Sequence, residues 1–196
     1  MYLGKQAITS ALTTGRWKMF RAHDQLSMTE IEPLINPNSI DVSLSDHFFL
    51  EDRCTIDPYD ENSIKHTEHR GVISLRPGQF VLGCVAERIS CSNSIFIAGR
   101  NRTFFPCIDG KSTVGRMGIS IHITAGFGDY GFDGAFTLEI KNENELSHVI
   151  LRPGMRIGQI QFKEVYDPGL YEGAYSKDHN FSPVKPKMGK ERLMVW

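Results

Sequence analysis

Residues 72–85 read VISLRPGQFVLGCV, and residues 149–162 read VILRPGMRIGQIQF. Each segment places two short apolar runs on either side of a Pro-Gly pair. Proline followed by glycine suits the two central positions of a type II turn, because the second position needs a positive φ. The two segments therefore predict strand–turn–strand units, and we expect each of them to form a tight hairpin.

Short apolar runs recur along the rest of the chain, separated by turn residues at intervals of about ten residues, a spacing typical of a sandwich or barrel. The further predicted strands are residues 39–50, 95–98, 119–123 and 135–140. One helix is predicted over residues 4–14, because Ala7, Ile8, Ala11 and Leu12 fall on one face and Gly15 follows. The sequence predicts an all-β fold of the jelly-roll type with a short N-terminal helix.

Composition excludes several classes of protein. The 196 residues carry 22 basic and 23 acidic side chains, a formal net charge of −1 that argues against a nucleic-acid binder. No apolar run approaches the ~20 residues of a membrane helix, so we expect no membrane partner. The polar N-terminus does not resemble a signal peptide, which favours a cytoplasmic location. The cysteines, Cys54, Cys84, Cys91 and Cys107, form no CxxC pair, need no disulfide role and are expected to be buried or half-buried thiols.

Charge is unevenly distributed along the chain. Residues 41–69 hold eight acidic side chains against two basic ones, and we expect most of this segment to be a solvated loop. Residues 177–196 hold five basic side chains against two acidic ones. This basic segment is either a mobile tail or a lid that closes over phosphates.

Residues 109–118, DGKSTVGRMG, place Lys111, Ser112, Thr113 and Arg116 between glycines. Hydroxyl donors, close-approach glycines and two cations are what a polyphosphate requires. A Walker A loop is rejected, because Phe105 stands where that motif needs glycine and no strand–helix junction is expected here. The alternative is a merely polar turn.

Residues 125–140, AGFGDYGFDGAFTLEI, form a second candidate site. Glycines flank Asp129, so a ligand could approach the backbone closely there. On the following predicted strand, Thr137 and Glu139 share one face. A carboxylate beside such a loop is a candidate general base; the alternative is a solvent-facing glutamate on an edge strand.

Taken in order and spacing, the segments GKSTVGRMG, HITAG, GDYGFDG and TLEI resemble the deaminase branch of the dCTP deaminase/dUTPase superfamily. The segments NPNSIDVSL at residues 36–44 and RPGMRIGQ at residues 152–159 extend the resemblance over about residues 1–165. The resemblance implies a dUTPase-like jelly-roll or distorted β-barrel. Residues 1–170 would form the catalytic domain, and residues 171–196 a tail that serves as a lid.

The resemblance implies hydrolytic deamination of dCTP to dUTP. Gly126 and Phe127 resemble the bifunctional members, which also release pyrophosphate and form dUMP. A dUTPase is the first alternative, although such enzymes usually have tyrosine in place of Phe132 and lack the Leu-Glu pair. A non-catalytic nucleotide sensor of the same fold is the second. A zinc deaminase is rejected, because Gly110 replaces the second cysteine of its Pro-Cys-x-x-Cys motif.

At the phosphate end, the resemblance implies that Lys111, Ser112, Thr113 and Arg116 hold the triphosphate, with Gln159 either reaching phosphate or serving a structural role. Ser112 would also help to position the attacking water. Lys111 stands where the family has arginine, and a lysine is a point charge rather than a bidentate fork. Mg²⁺ is implied as a cofactor bound through phosphate oxygens and water, with no protein ligand to a metal.

At the base end, the resemblance implies that Glu139 is the catalytic carboxylate and that Asp129 lies beside the deoxyribose. Asp129 would also orient a water at the α-phosphorus. Thr137 and Leu138 would line the base, and Ala125 would offer backbone contacts.

In the tail, Tyr171 and Lys177 match a Tyr…Ser-Lys pattern and would contact the substrate. The family's sites form between the subunits of a homotrimer, so self-association is expected.

Overall fold

The apolar runs of the sequence form strands in a computed structural model of the chain, which describes residues 1–52, 55–60, 62–172 and 183–186. The helices are α1 Lys5–Thr13, α2 Met28–Ile31 and α3 Ser112–Arg116, with a 3₁₀ helix at Glu32–Leu34. The strands are β1 Lys18–Arg21, β2 Asp24–Gln25, β3 Ile40–Ser43, β4 His47–Glu51, β5 His66–Arg70, β6 Ile73–Leu75, β7 Phe80–Cys84, β8 Glu87–Ser90, β9 Ile95–Ile97, β10 Arg100–Gly110, β11 Ile119–Ser120, β12 Asp133–Gly134, β13 Thr137–Asn142, β14 Val149–Leu151 and β15 Arg156–Val165.

The all-β class is confirmed. Within the described ranges the strands form four antiparallel sheets, with the orders β12-β8-β1-β2, β3-β15-β10-β9, β11-β13-β7-β4-β5 and β14-β6. Their inner faces share one apolar core, in which the Trp17 ring packs on Phe162 with 4.6 Å between ring centroids. No helix in the described part of the chain is long and apolar enough to cross a membrane.

The predicted N-terminal helix is confirmed as α1. Its face carries Ile8, Ala11 and Leu12, all of which are buried in the core. The helix ends because Gly15 adopts a φ of +70°, and the Gly15 N–H donates to the Leu12 carbonyl at 3.0 Å.

Both Pro-Gly turns form, but the predicted hairpins are wrong. Gly78 and Gly154 have φ values of +70° and +82°, as the turns require. The strands that flank each turn nevertheless separate into different sheets. β6 and β14, the strands that precede the two turns, pair with each other, while β7 joins β4 and β13 and β15 joins β3 and β10. Each turn is therefore a corner between sheets.

The structure also differs from the strand predictions elsewhere, most clearly at residues 39–50 and in β10. Residues 39–50 form two strands, because the Leu44 N–H bonds to the Met155 carbonyl and the Ser45 N–H to the Cys84 carbonyl, which moves the backbone between sheets. The 11-residue strand β10 was not predicted, because charged residues and Pro106 interrupt its apolar pattern. It is held by pairing with β15 over residues 103–110.

The prediction of buried thiols is confirmed for Cys84, Cys91 and Cys107. Burial raises the pKa of the Cys84 thiol to about 12, so this thiol is inert as a nucleophile at neutral pH. Cys54 lies outside the described residues.

Candidate active site

A cavity of about 640 Å³ opens beside the outer face of β13. Of the predicted site residues, it is lined by Ala125, Asp129, Thr137, Glu139 and Tyr171. Its other walls are mainly apolar, and they include Phe80, Leu82, Phe127, Phe132 and Phe136. The structure thus brings four of the predicted base-end residues together around one space.

Strand alternation explains which side chains of β13 reach this cavity. Thr137 and Glu139 point outward, whereas Leu138 and Ile140 are fully buried in the core. The Leu138 side chain is therefore not a wall of the cavity, and the placement of Leu138 beside the base stays a prediction. Any contact from Leu138 to a bound base would come from its backbone.

The Glu139 carboxylate is half-buried and has a fixed orientation. Its Oε2 accepts a hydrogen bond from the Ile123 N–H at 2.8 Å. Its strand is paired with β7 over five consecutive residues, with Glu139 opposite Leu82. A carboxylate held in this way in a largely apolar cavity can exchange protons with a ligand at hydrogen-bond distance.

Asp129 lies on a loop that packs closely against β10. The Gly128 N–H donates to the Pro106 carbonyl at 2.9 Å, and a Cβ on Gly128 would lie 2.8 Å from the Phe136 ring. The Phe132 N–H donates to the Asp129 carbonyl at 2.9 Å and closes a turn. Asp129 itself is exposed at the edge of the cavity.

Gly126 is required because a side chain at this position would collide with β10 and with His122, not because it leaves room for a ligand. A Cβ there would lie 2.6 Å from the Ile108 carbonyl oxygen and 3.2 Å from the His122 ring. The missing side chain therefore allows the loop to approach β10. Phe127, which follows it, lines the cavity, and its ring packs on Phe105 with 4.4 Å between centroids.

The phosphate-binding candidates lie elsewhere. Ser112, Thr113 and Arg116 belong to α3, whose side chains are exposed apart from the buried Val114, and Lys111 immediately precedes the helix. None of these four candidates lines the cavity. The expectation that no strand–helix junction occurs here is wrong, because α3 follows β10 directly. The rejection of a Walker A loop now rests only on Phe105, which stands where that motif needs glycine.

The structure gives Lys111 a partner that sequence reasoning missed. Its Nζ lies 2.6 Å from both carboxylate oxygens of Asp41, a residue that is 1% exposed. Asp41 also accepts hydrogen bonds from Arg156 at 3.2 Å and from Asn36 at 2.7 Å. Asp41 lies in β3, within the predicted strand 39–50, and its carboxylate is buried in spite of its charge. The sequence signal that could have pointed to Asp41 is its place in the segment NPNSIDVSL, which is part of the family resemblance.

Gln159 forms two hydrogen bonds within the fold next to this cluster, and its contact with phosphate stays a prediction. Its Oε1 accepts a hydrogen bond from the Ser39 hydroxyl at 2.8 Å, and its Nε2 donates to the Gly110 carbonyl at 3.3 Å. These bonds brace the end of β10 where the chain turns towards α3. Gln159 does not line the cavity.

The described part of the tail lies against the cavity. The Val184 N–H donates to Thr137 Oγ1 at 3.0 Å, and Val184 and Pro186 line the cavity. Lys185 Nζ lies 4.6 Å from the centroid of the Phe49 ring. Lys177 lies outside the described residues, and the division of the chain at residue 170 stays a prediction.

The ends of β4 and β5 supply two polar residues that sequence reasoning did not assign to the site, Glu51 and His66. Burial, followed by the charge of Lys185, lowers the pKa of the His66 imidazole. A neutral imidazole can accept or donate a hydrogen bond in the cavity. No group of three or more His, Cys, Asp or Glu side chains that could hold a metal occurs among the residues that the structure describes.

Comparisons with known proteins agree with this arrangement. Residues 13–165 match the family model described as dCTP deaminase-like. The dUMP-forming dCTP deaminase of Coprothermobacter proteolyticus is 40% identical over 148 residues, which cover 70% of this chain and 74% of that protein. The dUMP-forming dCTP deaminase of Dictyoglomus turgidum is 39% identical over 157 residues, which cover 74% of this chain and 76% of that protein.

A solved structure supports the fold. The crystal structure of the 2′-deoxycytidine 5′-triphosphate deaminase from Agrobacterium tumefaciens matches with a TM-score of 0.57 at 18% identity, covering 84% of this chain. The match spans 48% of that chain, about half of its length. The predicted architecture is thereby confirmed, and the family match settles the relationship: the chain belongs to the dCTP deaminase-like family.

Proposed function

We propose that the chain hydrolyses dCTP to dUMP, with ammonia and pyrophosphate as the other products. The observation that carries this proposal is the Glu139 carboxylate, held by a backbone N–H in an apolar cavity beside Asp129. The relatives named as dUMP-forming dCTP deaminases support the same reaction. The function is that of a hydrolase in nucleotide metabolism.

Deamination requires three proton movements, and one carboxylate can perform them. Glu139 takes a proton from water as the water oxygen bonds to C4 of cytosine. It delivers that proton to N3, and a second proton from the added hydroxyl reaches the amino group. The C4–N bond then breaks, ammonia leaves, and the water oxygen remains as the carbonyl oxygen of uracil.

Pyrophosphate release consumes a second water. Asp129 orients this water at the α-phosphorus, where a new P–O bond forms. The bond from the α-phosphorus to the oxygen that bridges to the β-phosphorus breaks, and that oxygen leaves with pyrophosphate. One dCTP and two waters thus give dUMP, ammonia and pyrophosphate.

The separation of the two residue clusters favours a site shared between copies of the chain. Glu139 lines the cavity, whereas Arg116 is exposed on α3 and outside it. We propose a homotrimer in which a neighbouring copy supplies α3 to each cavity, so that Ser112 and Arg116 meet the same nucleotide as Glu139. Sedimentation should give a trimer mass; a monomer that still turns over dCTP would contradict this arrangement.

The proposal includes Mg²⁺ that is bound to the phosphates of the nucleotide and to water. The described side chains form no cluster that would hold a metal by itself. The hydroxyls and cations at residues 111–116 fit a phosphate chain whose remaining charge is neutralised by Mg²⁺. The ion would supply that neutralisation, while the protein residues orient the phosphates. The cytoplasmic location stays a prediction.

The proposed function is tested with Glu139→Gln. We expect ammonia release from dCTP to fall by about 10²–10⁴-fold, because a positioned general base is lost. The dissociation constant for dCTP should stay within about tenfold, because phosphate contacts are retained. Substantial ammonia release by this variant would remove Glu139 from the mechanism.

The matched control is Glu51→Gln, which removes another carboxylate from the wall of the same cavity. A larger loss in this variant than in Glu139→Gln would reverse the assignment. The wild-type protein also separates the alternatives. A dUTPase would release pyrophosphate from dUTP without releasing ammonia from dCTP, and a non-catalytic sensor would release neither product.

A further inference from the structure

The loop that carries Asp129 is attached to the rest of the fold by an ion pair outside the cavity. Asp133 follows this loop on β12, and both of its carboxylate oxygens accept hydrogen bonds from Arg88 at 2.7 Å, one from Nε and one from Nη2. The two side chains are only 23% and 27% exposed. A bidentate, half-buried pair of this kind fixes both distance and orientation.

Arg88 is itself held in place. It lies on β8 directly opposite Phe20 of β1, and its guanidinium carbon is 4.9 Å from the centroid of the Phe20 ring. β8 also forms the backbone pairs with β12, with Asp133 opposite Ser90. β12 has only two residues, and the Arg88–Asp133 ion pair adds a side-chain link to its backbone pairing with β8.

The segment held by Arg88 leads directly to the cavity wall. Phe132, next to Asp133, lines the cavity and packs on Phe136 with 4.6 Å between ring centroids. Its N–H closes the turn back to Asp129. The Asp129 turn is thus held on one side by the Gly128–Pro106 hydrogen bond and on the other by Phe132 and Asp133, so loss of the second support would displace Phe132 and alter the placement of the Asp129 carboxylate.

Glu139 does not depend on this attachment. It lies within β13, which is paired with β7 in another sheet and is independently oriented by the Ile123 N–H. Neither Arg88 nor Asp133 lines the cavity. Loss of their ion pair should consequently disturb the Asp129 side of the cavity more than the Glu139 side.

We infer that Arg88 and Asp133 are positioning residues for pyrophosphate release, acting through the turn that places Asp129. The inference rests on the proposed function, in which Asp129 orients the water at the α-phosphorus. It predicts that the two chemical steps can be separated by a change that touches neither substrate nor catalytic carboxylate.

The test compares Arg88→Met and Asp133→Asn with the wild-type protein, using dCTP with Mg²⁺ and measuring ammonia, pyrophosphate, dUTP and dUMP. Methionine keeps an unbranched side chain over Phe20 but removes the charge. We expect the ratio of pyrophosphate to ammonia to fall about five- to fiftyfold, because a misplacement of about 1 Å can cost about 100-fold in rate. Ammonia release should change less than about threefold, and dUTP should accumulate.

Arg102→Met is the matched control. Arg102 forms a similar half-buried pair with Glu164, 2.7 Å apart and 14% and 25% exposed, and neither residue lines the cavity. Its loss should lower stability without altering the product ratio. The double variant Arg88→Met/Asp133→Asn should have a ratio close to that of either single variant, as expected when two residues act as one unit.

The outcomes are distinct. A wild-type protein that releases no ammonia from dCTP would overturn the proposed function itself. A wild-type protein that forms dUMP, together with an unchanged product ratio in Arg88→Met and Asp133→Asn, would overturn only the positioning role. An equal fall in the ratio for Arg102→Met would also overturn it, because the effect would then reflect general destabilisation.

Discussion

Replacing Asp41 with asparagine tests whether a buried charge holds Lys111 and thereby organises the proposed phosphate-binding residues 111–116. The substitution keeps the shape of the side chain and removes its negative charge. Asp41 is 1% exposed, and each of its carboxylate oxygens lies 2.6 Å from Lys111 Nζ. Lys111 would then retain a positive charge beside a neutral amide that cannot balance it.

The expected loss in the free energy of unfolding depends on how exposed Lys111 and Arg156 are. Breaking a fully buried ion pair costs about 3–5 kcal/mol, but the Lys111 side chain is 25% exposed and can recover part of its hydration. The Arg156 side chain is 49% exposed, so its contact with Asp41 adds at most about 1 kcal/mol. We expect Asp41→Asn to lower the free energy of unfolding by about 2–3 kcal/mol.

The assay is urea unfolding followed by circular dichroism, at one protein concentration because self-association would shift the apparent stability. Asp24→Asn, which changes an exposed aspartate of β2, is the control and should change stability by less than about 0.5 kcal/mol. Adding Lys111→Met to Asp41→Asn should recover about 1–2 kcal/mol, since the unpaired ammonium is then absent. An Asp41→Asn protein as stable as the control, or no recovery in the double variant, would refute the reasoning.

Two further predictions concern the reaction. In the proposed trimer, where bound phosphate buries the Arg116 guanidinium, Arg116→Ala should weaken dCTP binding by about 2–5 kcal/mol and leave deoxycytidine binding almost unchanged. Isothermal titration with both ligands measures this, and equal losses would mean that α3 does not bind phosphate. Asp129→Asn should suppress pyrophosphate release at least as strongly as ammonia release in the dCTP assay. Accumulation of dUTP equal to ammonia by the wild-type protein would instead establish a simple deaminase.

Local patterns in the sequence predict the fold class and several of the side chains that line the cavity. The helical spacing of Ile8, Ala11 and Leu12 predicts the face that α1 buries, and alternation from Thr137 to Glu139 predicts which side chains leave β13 on its outer face. These predictions succeed because side-chain direction repeats with the local geometry of a helix or strand. The Pro-Gly pairs likewise predict their own turns, since φ is a local property.

Local patterns do not show which segments of the chain meet. The hairpins expected at the two Pro-Gly turns are replaced by the pairing of β6 with β14, whose residues are more than 70 positions apart in the chain. The same is true of Asp41 and Lys111, which form an ion pair across 70 positions, and of the separation between the cavity and α3. Local periodicity specifies which face of a segment is buried, but the identity of the partner that buries it depends on the packing of the whole chain.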